Sequence, residues 1–444
     1  MSRVAMLLHA HYEEDPRVRK EAEALVAAGL EVDVFALRAP GQAAQATIEG
    51  VSLTRLPVQR HQGAGIAVYL REYTSFALRA AIALVRAHRR RDYRLVITHS
   101  PPDWLIFAAL PLRLMGVPLL LDLHEASPEF FRVRFGARSR LARALTGIVA
   151  RAERASAAIA ARVVATTPAM VARLEQIGVP RAKLALVPNV PLRARFAAAP
   201  ARDYRAGGPL RLLYTGALTP IYELDVAIEA VRLLRAGGID VRLDIYGRGD
   251  AREAIAAQID NSGLTAAVAL HDRVPLEAVP ALHAYADIAL APTRRDAFTE
   301  LTISNKAFEG AAAGRLVVAS DLPTLDAFDP DDAIARYRAG DAADMAAVIG
   351  RLDADPTERA ARRARLAAFA TAHDWAKSGP RYAALREMQR GRVQAGQRAP
   401  PGQYIGHGGL LGVIAADHDL IATIRAARHL PGPPTGVRQP PPGL

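Results

Sequence analysis

The sequence predicts two α/β domains, each built on a doubly wound parallel sheet, with a cleft between them. Short apolar runs alternate with helical patterns in both halves of the 444-residue chain. Such runs suit strands buried on both faces, and strand–helix alternation produces right-handed parallel crossovers. A stretch rich in Pro, Gly, Ala and Arg at 190–209 separates the halves. Ligands bind at the carboxyl ends of such strands, so both domains are expected to face one cleft.

The first half is predicted to contain six strands and five helices. The strands are RVAMLLH, EVDVFAL, RLVITHS, PLLLDLHE, RVVATT and KLALVPN, and the helices span 16–29, 64–90, 102–115, 137–160 and 168–178. In the first helix, Asp15 is a good N-cap, Pro16 suits the first helical position, and Gly29 ends the helix.

The second half repeats this plan. Its strands are LRLLYTG, DVRLDIYG, AVALHD, DIALAP and RLVVAS, and its helices lie near 222–236, 251–262, 277–285 and 304–314. We therefore expect, in order, a first domain at 1–190, a linker at 191–209, a second domain at 210–375, a returning helix at 376–391 and a tail at 392–444. The tail is rich in Pro and Gly, a composition that favours disorder.

The composition excludes several classes of protein. The absence of cysteine rules out disulfide frameworks, thiolate zinc sites and cysteine nucleophiles. The first residues, MSRVAMLLHAHYEEDPRV, lack the pattern of a signal peptide. The apolar stretch at 104–121 is interrupted by Pro111, Arg113 and Pro118, so we interpret it as a buried helix, a turn and a strand. A cytoplasmic protein is the resulting expectation.

The net charge of +12 favours acidic partners. Nucleic acid is not expected, because the basic residues are scattered and are not interleaved with aromatics. Residues 71–91, REYTSFALRAAIALVRAHRRR, form a basic amphipathic pattern that would suit peripheral contact with anionic membrane on its inner face. The alternative is an ordinary surface helix whose apolar side packs on the sheet and whose arginines lie in water.

The segment SNKAFEGAAAGRLVVAS at 304–320 carries the clearest chemical signal. Ser304 or Thr302 is placed to cap a helix whose first turns carry Asn305, Lys306 and Glu309. Free amides at a helix start suit phosphate, and Lys306 adds a positive charge. Glu309, one turn deeper, suits the hydroxyls of a ribose. From the residues alone, an amphipathic helix with one snorkelling lysine and one capping glutamate remains an equal alternative.

The longer stretch LTISNKAFEGAAAGRLVVASDLP resembles the donor-site signature of retaining GT-B glycosyltransferases of glycosyltransferase family four. Other stretches resemble that family in the same order over residues 1–375. They are EDPRVRKEAEALVAAGLEVDVFAL, LLLDLHEASPEFF, VVATTPAMVARLEQIGVPRAKLALVPNV, LYTGALTPIYELDVAIEAVRLL, LDIYGRGD and LHDRVPLEAVPALHAYADIALAP. The resemblance implies the GT-B fold and transfer of a sugar, with retention, from a nucleotide-diphosphate sugar to an acceptor hydroxyl. The acceptor would be a polysaccharide, glycolipid or small glycoside, as in bacterial cell-envelope polysaccharide biosynthesis.

The resemblance also implies roles for particular residues. Glu309 would bind the ribose of the donor, and Lys306, Asn305 and the amides around Ser304 would face its diphosphate or sugar. Gly216 would lie beneath the diphosphate. The backbones of Gly247–Arg248 and Arg273–Val274 would border the base. His124 would hydrogen-bond the reacting sugar and is the predicted catalytic residue, although a histidine at a strand end is also often a structural loop residue.

Three departures from the family pattern stand out. A second carboxylate is usual eight positions before the glutamate, but Leu301 stands there, which leaves Glu300 as the candidate. The segment GALTPIYELD lacks the basic clamp for the diphosphate, for which Arg248, Arg294 or Arg295 would have to compensate. HAHYEEDP replaces a glycine-rich loop, so His9 or His11 would shape an acceptor pocket instead.

No metal or cofactor is expected, since helix-end amides and basic side chains neutralise a leaving diphosphate. The acidic patterns DPDD at 329–332 and DAD at 353–355 suit loops and helix caps. Two other functions remain open. One is a catalytically inactive nucleotide-sugar-binding scaffold, which the missing basic clamp favours. The other is a nucleotide-sugar epimerase on the same fold, which would need further acid–base residues in the cleft.

Overall fold

The computed structural model describes residues 2–61, 65–136, 139–197 and 203–385. The tail predicted at 392–444 lies outside these residues, as does the end of the predicted returning helix. The described chain forms an eight-stranded sheet followed by a six-stranded sheet. This confirms the predicted pair of α/β domains. Within the described residues, no helix combines the length and the apolar character needed to cross a membrane.

The first sheet has the strand order β3-β4-β2-β1-β5-β6-β7-β8. Its strands are β1 (Arg3–Leu7), β2 (Glu31–Leu37), β3 (Gln45–Ile48), β4 (Val51–Leu56), β5 (Tyr93–His99), β6 (Leu119–Asp122), β7 (Arg162–Ala165) and β8 (Leu184–Leu186). Its helices are α1 (Pro16–Ala27), α2 (Ile66–Arg91), α3 (Leu110–Leu114), α4 (Ser127–Phe135), α5 (Arg140–Ile159) and α6 (Pro168–Gln176), and α7 (Arg193–Ala197) follows in the linker. The Asp15 carboxylate accepts hydrogen bonds from the amides of Arg17 and Val18, which confirms the predicted N-cap of α1.

The first sheet is not wholly parallel, because β3 pairs antiparallel with β4. The prediction missed this hairpin. Glu49 and Gly50 join its strands with φ angles of 48° and 78°. Two successive residues in the left-handed region make a tight turn that reverses the chain without a crossover helix.

The predicted helix at 102–115 is wrong in its first half. Residues Asp103–Ala109 form a 3₁₀ helix, and only α3 is α-helical. Pro111 has no amide hydrogen to donate to the carbonyl of Phe107, so an α-helical ladder cannot run through this point.

The second sheet is parallel and has the order β11-β10-β9-β12-β13-β14. Its strands are β9 (Leu210–Ala217), β10 (Val241–Arg248), β11 (Val268–His271), β12 (Ile288–Ala291), β13 (Leu316–Ser320) and β14 (Ala335–Tyr337). The helices are α8 (Leu224–Ala236), α9 (Arg252–Asn261), α10 (Val279–Tyr285), α11 (Asn305–Ala312), α12 (Pro323–Asp326), α13 (Ala342–Ala354), α14 (Pro356–Ala372) and α15 (Trp375–Ala384). The prediction missed β14 and the helices α4, α7, α12 and α13.

Helix α15 returns to the first domain and packs on α1. The indole Nε1 of Trp375 donates a hydrogen bond to the Lys20 carbonyl at 3.2 Å. The Lys20 ammonium lies 4.9 Å from the centre of the Trp375 ring. It also donates to Asn189 Oδ1 and to the Val190 carbonyl, both at 2.6 Å, where the chain leaves the first sheet. Both crossings between the domains therefore meet at α1.

Helix α11 lies very close to the strands beneath it. A Cβ built on Gly310 would be 2.6 Å from the Ala289 Cβ and 2.9 Å from Val317 Cγ2. Ala289 lies in β12 and Val317 in β13, so the glycine lets the helix backbone approach both strands. This close packing sets the depth at which the start of α11 meets the cleft.

We predict that Gly310→Ala destabilises the protein by about 1–3 kcal/mol, because the added methyl group overpacks this contact. The matched control is Gly147→Ala in α5, where a Cβ would contact only the end of the Arg151 side chain at 3.3 Å. That change should stabilise the helix by about 0.5–1 kcal/mol. Urea denaturation of both variants measures the difference. Equal stability of the two would contradict the packing argument.

Candidate functional site

The start of α11 presents backbone amides at the carboxyl edge of the second sheet. Ser304 occupies the N-cap position and Asn305 begins the helix. The predicted cap is wrong in one respect, because the Ser304 side chain makes no cap hydrogen bond. Its hydroxyl oxygen is buried without a partner among the described residues. The amide of Ala307 donates to the Ser304 carbonyl at 3.3 Å. The two amides before it, those of Asn305 and Lys306, are not satisfied by the Ser304 hydroxyl and suit an anion.

Lys306 is held at this edge by aromatic rings and by a glycine. Its Nζ lies 3.7 Å from the ring centre of Tyr222 and 5.0 Å from that of Tyr214. A Cβ on Gly216 would lie 2.6 Å from Lys306 Cε. Gly216 also has a φ of 148°, which favours glycine. The lysine is 7% exposed, so the site offers a desolvated positive charge directly beside Gly216.

Glu309 lies one helical turn deeper, as predicted for a ligand of hydroxyl groups. Burial raises the pKa of its carboxyl, while Lys306 and Lys20 lower it. Its Oε2 is 3.9 Å from Nε2 of His283. Burial, aided by Arg315, lowers the pKa of His283 to about 4, so this histidine is neutral and makes no ion pair. No hydrogen bond from a described residue is recorded to the Glu309 carboxylate.

Two glycines let β9 and β10 come unusually close at the same edge. A Cβ on Gly247 would lie 1.9 Å from the Gly216 carbonyl oxygen. The next residue, Arg248, donates to Glu14 Oε2 at 2.7 Å, and Arg273 donates to the same oxygen at 2.6 Å. Val274 follows Arg273 in the loop after β11 and is half-buried. Two of the predicted base-bordering residues, Arg248 and Arg273, therefore bind Glu14 of the first domain.

Arg294 and Arg295 lie near Glu300, the predicted second carboxylate, and each already binds an acidic side chain. Arg295 Nε donates to Glu300 Oε1 at 2.9 Å, and both side chains are exposed. Arg294 donates to both carboxylate oxygens of Asp225 at 3.1 Å. The structure thus places Glu300 in a surface ion pair, whereas Glu309 is half-buried beside Lys306.

The first domain brings a second group of polar side chains to the carboxyl edge of its own sheet. His124 follows β6, and its amide donates to Ser100 Oγ at 2.9 Å. His124 Nε2 lies 3.2 Å from Nδ1 of His99, the last residue of β5. Glu21 and Asp122 border this pair, and Arg17 donates to both carboxylates.

This group is also the one set of described residues that could hold a metal ion. Ligand atoms of Glu21, His99, Asp122 and His124 all lie within 4.8 Å of one another. The other acidic candidates have structural roles. Asp329 accepts from the amides of Ala333 and Ile334. In the second acidic pattern, Asp353 binds Arg205 and Asp355 caps α14.

Several contacts hold the two edges together. Thr167 Oγ1, after β7, donates to the Leu301 carbonyl at 2.6 Å. Arg19 donates to Glu277 at 2.9 Å. Burial raises the pKa of Glu309 and lowers that of His124, and Lys20 opposes the first shift and adds to the second. The contacts of Thr167 and Arg19 therefore join the first domain to the second next to the loops that follow β12 and β11.

The predicted alternative site at His9 and His11 looks different in the structure. His9 is buried against the rings of Tyr73 and Phe76. Its Nε2 lies 3.1 Å from Glu72 Oε1. His11 precedes the 3₁₀ turn at Tyr12–Glu14. His9 is thus held within the first domain by aromatic and carboxylate neighbours.

Sequence reasoning missed Lys20, Glu21 and His99. Arg17, Lys20 and Glu21 have the spacing of one helix face, and that spacing was visible in the sequence. Charged residues on one face normally indicate a solvated surface, yet all three are buried here. Only packing against β6 and α15 distinguishes the two cases.

We predict that Gly216→Ala weakens binding of a nucleoside diphosphate by at least tenfold, since about 1.4 kcal/mol corresponds to a factor of ten. The added methyl group would displace the Lys306 side chain from beside the diphosphate position. Gly238→Ala is the control, because it also has a positive φ but has no atom within 4 Å of the added methyl group. Isothermal titration calorimetry measures the affinity of both variants for UDP. Unchanged affinity in Gly216→Ala would contradict the placement of Lys306.

Comparison with known proteins agrees with this geometry. The description "Glycosyl transferase 4-like domain" matches residues 15–190, and "Glycosyl transferases group 1" matches residues 209–355. A comparison with curated proteins finds no match.

Solved structures share the fold at low sequence identity. Sucrose-phosphate synthase from Thermosynechococcus elongatus has a TM-score of 0.69 and 21% identity, covering 89% of this chain and 100% of its own. HepE from Anabaena in complex with UDP-glucose has a TM-score of 0.65 and 15% identity, covering 87% and 99%. WaaG, a glycosyltransferase involved in lipopolysaccharide biosynthesis, has a TM-score of 0.63 and 16% identity, covering 86% and 99%. With family matches across both sheets and GT-B neighbours over most of its length, the chain belongs to the group 1 glycosyltransferases, with a glycosyl transferase 4-like N-terminal domain.

Proposed function

We propose that the protein transfers a sugar, with retention, from a nucleotide-diphosphate sugar to an acceptor hydroxyl. The observation that carries this proposal is the arrangement at the start of α11. The buried ammonium of Lys306 lies beside Gly216, helix α11 begins one residue before that lysine, and a carboxylate lies one turn deeper. These groups match, in order, the diphosphate and the ribose of one donor. The complex of HepE with UDP-glucose makes UDP-sugars the first donors to test.

Each residue would contribute binding or charge stabilisation. Lys306 and the amides after Ser304 would stabilise the negative charge of the leaving diphosphate, and Glu309 would accept hydrogen bonds from the ribose. His124 would hold the sugar from the other side of the cleft. In front-side transfer, the leaving diphosphate helps to deprotonate the acceptor, so positioning is the main task of the protein.

We propose that this transfer needs no metal ion. The cation and the helix amides lie where the diphosphate charge would develop, and such groups can replace a divalent ion. Transfer should therefore persist after exhaustive treatment with EDTA. Loss of transfer that Mg²⁺ or Mn²⁺ restores would refute this part of the proposal.

An inactive nucleotide-sugar-binding scaffold is the second candidate. It is favoured by the ion pairs that occupy Arg248, Arg273, Arg294 and Arg295, because they leave those side chains committed to carboxylates. Tight donor binding without transfer or donor hydrolysis would support the scaffold. A change in the sugar configuration of the free donor would instead indicate an epimerase.

We predict that Glu309→Gln lowers donor affinity about 10- to 100-fold, the range for losing a charged hydrogen-bond partner. Glu300→Gln should have a smaller effect, because Arg295 already binds that carboxylate. Glu229→Gln is the control, since Glu229 is exposed and pairs with Arg232 on α8.

Thermal-shift screening with UDP-, GDP-, ADP- and TDP-sugars identifies the donor first. A ligand at a hundred times its dissociation constant adds about 2.7 kcal/mol of stability. Equal donor affinity in Glu309→Gln and Glu229→Gln would argue against ribose binding by Glu309.

We further propose that the first domain docks on anionic membrane through its outer helices. All but one of the large apolar side chains exposed in the described residues lie between residues 70 and 148. On α2, Leu70, Leu78 and Ile82 are 58%, 63% and 53% exposed. On α5, Leu141 and Ile148 are 70% and 58% exposed. Exposed apolar side chains suit an interaction surface where they form a continuous patch, which is the arrangement we propose for α2 and α5.

The charged residues of α2 and α5 favour an anionic partner. Arg71, Arg79 and Arg86 are exposed beside the apolar residues of α2, and they form no recorded ion pair with a described residue. The acidic residues of α2 and α5, Glu72 and Glu153, are buried. An apolar stripe flanked by unpaired cations suits the interface of an anionic bilayer. The proposal thus extends the membrane contact predicted for 71–91 to α5.

We predict that the protein floats with vesicles of phosphatidylcholine and phosphatidylglycerol (7:3) at low salt, and that binding weakens at high salt. Arg79→Ser/Arg86→Ser should bind about thirtyfold more weakly, because each basic residue near the surface contributes about 1 kcal/mol. The charge-matched control is Arg338→Ser/Arg351→Ser in the second domain, which should bind as the wild type does. Absence of flotation at low salt would contradict the proposal, and so would an equal loss of vesicle binding in both double variants.

A further inference from the structure

Three buried polar side chains, Glu21, His99 and Asp122, surround His124 and have no part in the proposed donor site. His99 is fully buried, whereas the His124 side chain is 14% exposed. His124 Nε2 points to His99 Nδ1 at 3.2 Å, and the two rings are 5.3 Å apart at 67°. His124 Nδ1 is therefore the ring nitrogen left to meet a substrate. Whether it donates or accepts a hydrogen bond depends on the tautomer that His99 imposes.

Three polar side-chain atoms lie near Nδ1 of His99. Besides His124 Nε2, Glu21 Oε2 lies at 3.5 Å and Asp122 Oδ2 at 3.9 Å. Both oxygens are buried without a hydrogen-bond partner in the described residues. Arg17 binds the other oxygen of each carboxylate, Oε1 of Glu21 and Oδ1 of Asp122. The acceptor oxygens left over are thus the two that face His99.

The second ring nitrogen of His99 has no such neighbours. His99 Nε2 is buried without a hydrogen-bond partner in the described residues. A proton on Nε2 would leave a buried donor unpaired, while a proton on Nδ1 meets two carboxylate oxygens and an imidazole nitrogen. The geometry therefore favours the Nδ1–H tautomer of His99.

We propose that His99 is a positioning residue that donates its Nδ1–H to His124 Nε2 and thereby fixes the proton of His124 on Nδ1. His124 then presents a neutral N–H donor to the cleft. Such a donor suits a hydroxyl oxygen of the donor sugar. The inference rests on the proposed function only for this last step, because the tautomer itself is a property of the free protein.

The surrounding charges keep both histidines neutral. Arg17 and Lys20 of α1 face the pair, as do Glu21 of α1, Asp122 of β6 and Tyr382 of α15. Burial, with Arg17, lowers the pKa of His99 to about 3. The same causes, joined by His99 and Lys20, lower the pKa of His124 well below its usual value. Burial and Asp122 raise the pKa of Glu21 to about 8.

Two substitutions separate this role from simple packing. His99→Asn keeps an N–H donor close to the position of Nδ1, and His99→Leu removes it. Without that donor, Nε2 of His124 becomes free to carry the proton and face Asp122 Oδ1, which lies 4.0 Å away. The tautomer of His124 should therefore change in His99→Leu and persist in His99→Asn.

The test is ¹⁵N-histidine NMR of the full-length protein without donor, with His124→Gln used to assign the His124 signals. We expect His124 to be protonated on Nδ1 between pH 6 and 8 in the wild type and in His99→Asn, and on Nε2 in His99→Leu. Protonation on Nε2 in the wild type would overturn the proposal. An unchanged tautomer in a folded His99→Leu variant would do the same.

Two further readouts complete the experiment. With an identified donor, His99→Leu should lower kcat about tenfold, the effect of one hydrogen bond, with little change in KM, and His99→Asn should restore most of it. Equal kcat loss in both variants would overturn the proposal.

One equivalent of ZnCl₂ added to EDTA-treated protein should leave the His124 signals unchanged. Stoichiometric metal uptake that His99→Asn abolishes would instead assign the cluster to a metal. Failure to find transfer leaves the NMR result intact and counts only against the proposed function.

Discussion

The relation between the two sheets depends on the buried ammonium of Lys20. A desolvated charge requires hydrogen-bond partners, and Lys20 finds them in Asn189 and the Val190 carbonyl, where the chain leaves the first sheet. Trp375 covers the same lysine where the chain returns. Burial lowers the pKa of Lys20 to about 7, with Glu21 opposing the shift. Because one side chain of α1 joins both crossings, the two carboxyl edges face each other across a defined cleft.

The two edges of this cleft differ in how their positive charges are compensated. At the edge of the second sheet, Lys306 packs on the rings of Tyr214 and Tyr222 in the first turn of α11. An anionic ligand would supply the negative charge that compensates this lysine. On the first sheet, Arg17 is already compensated by Glu21 and Asp122, so the histidines behind the cleft remain neutral. A site with one unsatisfied positive edge and one neutral edge suits a substrate whose charge lies at one end. A sugar linked to a nucleoside diphosphate has this distribution.

Much of the fold was predictable because its strands are buried on both faces and therefore appear as continuous apolar runs. The hairpin of β3 and β4 was not predicted, since its turn depends on two residues with positive φ. The prediction also failed at Pro111, whose missing amide converts the preceding turn to a 3₁₀ helix. At the candidate site, the order of Ser304, Lys306 and Glu309 along α11 was visible in the sequence. The failure of Ser304 to cap the helix was not, because that depends on the rotamer and burial of one hydroxyl.

The sequence by itself determined the two-sheet architecture and the segment that begins at Ser304. Both follow from local patterns, namely apolar runs of strand length and a helix start that carries a cation and a carboxylate. Only the tertiary structure decided which charged residues are free to act. Arg248 and Arg273 bind Glu14, whereas Lys306 packs on the rings of Tyr214 and Tyr222 without a carboxylate partner in the described residues, and His99 contacts His124. The physical reason is that these relations join residues far apart in the chain, and burial, which sets their charge and hydrogen bonding, exists only after the sheets have packed.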